Sequence, residues 1–108
     1  MNRTQQAMAE VFTLLVQVGR AEGDGLPEGT TGAALLCYAA GKDEKNAVDE
    51  TVAVLKQAGL APLEVESYGS RAELEDAGEE ILPDQAELMD RAGSENAVIV
   101  AQVTTFDD

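Results

Sequence analysis

Tyr38, Tyr68 and Arg71 are the residues of this sequence best suited to hold a small molecule. Two aromatic rings and a guanidinium, carried by two strand-like segments and the stretch that follows the second, could clasp a small anion or an acyl group. The wider inventory points away from catalysis. There is no histidine among the 108 residues, which removes Ser-His-Asp and Cys-His nucleophile systems and imidazole acid–base work. With a single cysteine, Cys37, no tetrahedral Cys/His zinc set can be built within one chain. Cys37 lies in an apolar block without a neighbouring cation or helix N-terminus to favour its thiolate, so it is expected in the core. The other candidates for chemistry, carboxylates, tyrosines, Arg71 and lysines, show no spacing that marks a reaction. No catalytic residue, metal site or cofactor is assigned, and a small enzyme stays the alternative to a non-catalytic binding domain.

Acidic side chains dominate the polar surface. Twenty-one Asp and Glu against seven Lys and Arg give a formal charge of −14, which repels nucleic-acid phosphates and anionic membranes and favours a basic protein partner. Glu64, Glu66, Glu73, Glu75, Asp76, Glu79 and Glu80 form the densest part of that surface. They lack the alternating Asp/Asn ligands and positioned glycine of a calcium loop. An acidic mimic of nucleic acid is a weaker reading of the same charge. The Gly-rich segment 19–32 has no Gly-Lys-Ser/Thr ending and leads into a strand, so it is a hairpin connection rather than a phosphate loop.

The elements that must position these residues follow from periodicity. Ala47, Val48, Thr51, Val52, Leu55 and Ala58 recur at three- and four-residue steps and predict an amphipathic helix, capped by Asp43 or Asn46 and stopped at Gly59 before Pro62. Leu63 to Tyr68 then alternates as a strand with an acidic outer row. Residues 69–81 read as an acidic connector with room for one helical turn. Pro83 opens a second, shorter helix carrying Ala86, Met89 and Ala92 on one face and ending near Gly93. Val11–Val18, Ala33–Ala40 and Ala97–Val103 are strands apolar on both faces, the last expected at the sheet's centre; a helix continuing from Thr4 competes for the first of them. Residues 1–9 are expected as a loose arm.

The order strand, strand, helix, strand, helix, strand suggests one α+β domain over residues 1–108, a ferredoxin-like two-layer sandwich with both helices on one sheet face. Strands apolar on both faces then require a cover for the open side, and a homodimer through that face would supply it, burying ~800 Å² or more per subunit. A three-layer α/β/α arrangement within one chain is the alternative. No segment approaches the roughly 20 apolar residues of a membrane span. The lone cysteine and the lack of a signal-peptide pattern point to the cytoplasm. The function these features suggest is a self-associating binding or interaction domain.

Overall fold

The computed structural model describes residues 10–107, so the expected N-terminal arm 1–9 lies outside the described residues. The chain runs β1 (Glu10–Gly19), β2 (Thr30–Gly41), α1 (Glu44–Gln57), β3 (Ala61–Ser70), α2 (Arg71–Asp76), α3 (Pro83–Glu95) and β4 (Val98–Asp107). This is an α+β fold with the expected succession of strands and helices, and Val11–Val18 is extended rather than helical. The sheet order is β3-β1-β2-β4, with each neighbouring pair antiparallel. That order differs from a strict ferredoxin-like pattern.

The layering also differs from two helices on one face. Successive strand residues point to opposite sides. Val16, Val18, Leu35 and Cys37 bury against Leu55 of α1, and Phe12, Leu14 and Ala39 cluster with Ala47 of the same helix. Tyr38, one residue from Cys37 and Ala39, instead clusters with Met89 and Ala92 of α3. The two main helices therefore sit on opposite faces, and the layers are those of the α/β/α alternative. The physical reason lies in the connections. The β2-α1-β3 crossover passes one face, while the β3-α2-α3-β4 connection carries the chain from one sheet edge to the other across the second face.

Local signals explain the helix ends. Asp43 caps α1 by accepting from the Asn46 amide at 2.8 Å, and Gly59 follows with φ +89, a left-handed stop that suits glycine. α3 starts on Pro83 but runs past Gly93 to Glu95, because Asn96 takes the left-handed position at φ 52. Gly93 serves close packing instead: a Cβ there would lie 3.3 Å from Val11 Cγ2. At the end of β2, a Cβ on Gly41 would lie 2.8 Å from the Ala47 amide nitrogen, so this glycine lets α1 approach the sheet.

β4 is an edge strand, not the centre. Val98 and Ile99 reach the core clusters, but Val100 and Val103 are 42% and 51% exposed, beyond the start of the strand where Val98 packs against the α1 clusters. The central strands are β1 and β2. The loop joining them is built rather than open. The Asp24 carboxylate accepts from Arg20 Nε at 2.9 Å and from the amides of Ala21 and Leu26 at 2.8 and 3.0 Å. Arg20 also donates to the Thr30 carbonyl at 2.7 Å, tying the loop to the start of β2. The Arg20 guanidinium, followed by the two backbone amides, holds the Asp24 carboxyl well below the usual carboxylate range.

Candidate ligand-binding site

α3 is too short, and set too near one end of the sheet, to cover the whole second face. Between the sheet, α2 and α3 it leaves a cavity of about 590 Å³, inside the range of roughly 300–1,000 Å³ typical of small-molecule sites. Its floor is Thr13 of β1 with Leu36 and Tyr38 of β2. Thr13 and Tyr38 are cross-strand partners and so share that face. Met89 and Gln85 of α3 and Ile81 of the preceding segment close the far side.

Thr13 is unusual within this floor. It is 7% exposed, and among the described residues its Oγ1 is the buried side-chain oxygen that finds no hydrogen-bond partner. An unpaired buried hydroxyl costs about 1–3 kcal/mol, so such a group marks a place where the fold leaves a polar atom unserved.

Tyr68 reaches the cavity through a β-bulge. Thr13 pairs with Gly69 while Leu14 pairs with Ser67, which leaves Tyr68 as the extra residue of β3. Gly69 carries the turn at φ +105, and the bulge brings the Tyr68 ring to the cavity wall. α2 forms the next part of that wall. Ser70 Oγ accepts from the Glu73 amide at 3.2 Å, and Glu73 Oε1 accepts from the Ser70 amide at 2.8 Å, a reciprocal capping box. The signal was present in the sequence as Ser70-Arg71-Ala72-Glu73, inside what composition alone marks as an acidic connector.

Of the three residues singled out by type, the structure brings two together. Tyr38 and Tyr68 both line the cavity; Arg71 does not. Its guanidinium donates to Asp90 Oδ1 at 2.6 Å and to Glu75 Oε2 at 3.3 Å, bolting α2 to α3 behind the site. An anion or acyl group in the cavity would therefore find no guanidinium. It would find Glu73, Glu79 and Glu80 at the rim. Glu64 and Glu66 lie on the same face, opposite Gln17 and Leu15, along a smaller groove of about 300 Å³. Much of the acidic surface thus gathers on the side of the sheet that α1 does not occupy. Glu75 and Asp76 belong to α2 outside the cavity lining.

The other reactive groups are kept inert. Cys37 faces α1, is fully buried, and has its thiol pushed up to about 11 by that burial. Burial also raises Tyr38 above the ordinary tyrosine value. Among the described residues no three Asp, Glu or Cys side chains converge as a metal-ligand set, and no helix is long and apolar enough to cross a membrane.

A family model for a domain of unknown function, DUF8846, matches residues 11–107. The chain belongs to this family. No curated protein and no solved structure matches it. The DUF8846 match runs from β1 to the end of β4, so it takes in both central strands and every residue of the cavity lining.

Proposed function

We propose that this DUF8846 domain is a non-catalytic cytoplasmic binding module that holds a small organic ligand in the cavity between the sheet, α2 and α3. The observation that carries this reading is the buried, unpartnered Thr13 hydroxyl in the floor of a cavity whose depth is lined by Leu36, Tyr38, Ile81 and Met89 and whose rim carries Glu73, Glu79 and Glu80. Small-molecule sites have that composition: apolar walls with a few polar groups that fix orientation. The absence of histidine, the buried thiol on the opposite face and the raised Tyr38 hydroxyl support binding over turnover. Screening a fragment library by amide chemical-shift perturbation tests it. Shifts should concentrate at Thr13, Leu36, Tyr68 and Glu79 to Met89; fragments that perturb only other surfaces, or none that bind, would refute the reading.

A second reading is favoured by the β4 edge. Val100 and Val103, together with Val54 of α1 at 39% exposure, leave apolar surface uncovered on the α1 side, and an exposed edge strand offers unpaired backbone groups. Self-association would cover both. Light scattering after size exclusion should then give about twice the 11.4 kDa chain mass; a single-chain mass at micromolar concentration rules it out.

A further inference from the structure

Resting on the reading of the cavity as a ligand site, we propose that its ligand is a small organic cation, a protonated amine carrying an apolar or aromatic body. The lining holds three carboxylates, Glu73, Glu79 and Glu80, and no lysine or arginine. Glu73 has one oxygen committed to the Ser70 amide, whereas Glu79 and Glu80 take part in no ion pair among the described residues. The nearest guanidinium that could have neutralised this charge, Arg71, is held by Asp90 and Glu75. The rim is therefore a field of uncompensated negative charge, on a molecule whose formal charge of −14 already draws cations and repels anions.

The rest of the cavity decides what kind of cation. A bare divalent ion needs several oxygens converging on one point, and no such cluster exists among the described residues. Carboxylates spread around a rim suit a larger cation whose charge sits at one end. Tyr68, brought to the wall by its bulge and 45% exposed, offers a ring face for an ammonium group. Behind it, Leu36, Ile81 and Met89 give an apolar floor and roof, where methylene or aromatic groups gain from leaving water. Thr13 Oγ1, enclosed and unpartnered in the floor, would meet the ligand through a rotation of its side chain. The arrangement selects a molecule that is greasy at one end and positively charged at the other.

Three probes of similar shape separate charge from shape: phenethylamine, 2-phenylethanol and 3-phenylpropanoate, each titrated into the ¹⁵N-labelled chain at low salt. The amine is expected to shift the cavity amides at least fivefold more tightly than the alcohol, the carboxylate to give no response, and added salt to weaken the amine alone. The doubly exposed variant Glu79→Gln with Glu80→Gln should weaken the amine by about fivefold while leaving the alcohol unchanged. If the alcohol binds the cavity as tightly as the amine, the cation proposal is overturned and the cavity still stands as a ligand site. If none of the three moves a cavity amide, both fall. Binding of tetralysine at the rim without binding of phenethylamine also overturns the proposal, in favour of a basic protein partner.

Discussion

The two faces of the sheet are built to different standards. On the α1 face, Leu14, Val16, Leu35, Cys37, Ala39 and Leu55 are at most 2% exposed, and the seam is close enough to require glycine at position 41. On the other face, Val11 and Leu36 are only half-buried, a threonine hydroxyl is left unpaired, and a cavity separates the sheet from α2 and α3. Both faces are drawn from the same two strands, often from adjacent residues. The contrast teaches that the α1 seam over β1 and β2 is close-packed throughout, whereas the other face is close-packed only where Tyr38 meets Met89 and Ala92 and opens beyond them.

Substitutions on the two faces should register this contrast. The largest effect is expected from Leu14→Ala on the α1 face, about 2–5 kcal/mol in denaturant unfolding because the side chain is fully enclosed. The matched Leu36→Ala on the cavity face should lose less than half as much, since part of that side chain is already open. Equal losses would erase the distinction between the faces. Gly41→Ala forces a methyl group against the Ala47 backbone and should lose about 1–3 kcal/mol, read from the same unfolding curves.

Arg71→Ala sharpens the comparison from the cavity side. Its ion pairs to Asp90 and Glu75 are partly exposed, so the loss of stability should stay below about 1 kcal/mol. If Arg71 serves as a bolt and not as a ligand contact, the response to anionic probes should not change.

The loop between the central strands adds a pH signature. Asp24 has a folded pKa depressed below its unfolded value by Arg20 and two amides. Its contribution is therefore complete above the unfolded value near ~3.9 and is lost as pH falls towards the folded value. Comparing wild type with Asp24→Asn by urea unfolding from pH 7 downwards, the gap in midpoint should hold to about pH 4 and then close. A gap independent of pH would mean that the carboxylate's charge is not what secures the loop.

Much of the framework is legible in the residues. The α1 periodicity, its Asp43 cap and Gly59 stop, the three apolar strands and the Pro83 start of α3 each depend on local spacing, and local spacing survives folding. What depends on the connections between elements is not local. The placement of α3 opposite α1 follows from strand order, and no single segment encodes that. The apolar run at Val98–Val103 suggested a central strand, yet its final position is the edge, because composition records hydrophobicity without recording which neighbours are left to supply cover. Tyr38 and Tyr68 could be picked out by type. Thr13 could not, since a threonine inside an apolar strand is unremarkable until the cavity above it is seen. Arg71 was conspicuous as the lone cation in an acidic stretch, and that same isolation is why neighbouring acids claim it. The missed clues were short: Ser70 with Glu73 for α2, and Arg20 with Asp24 for the loop.

The most direct test is Thr13→Val, which removes the unserved hydroxyl and keeps the shape. Unfolding should show stability unchanged or raised by up to about 3 kcal/mol, and phenethylamine should bind more weakly. A stability loss of more than about 1 kcal/mol, with binding untouched, would show that the hydroxyl serves the fold and would contradict a face reserved for a ligand.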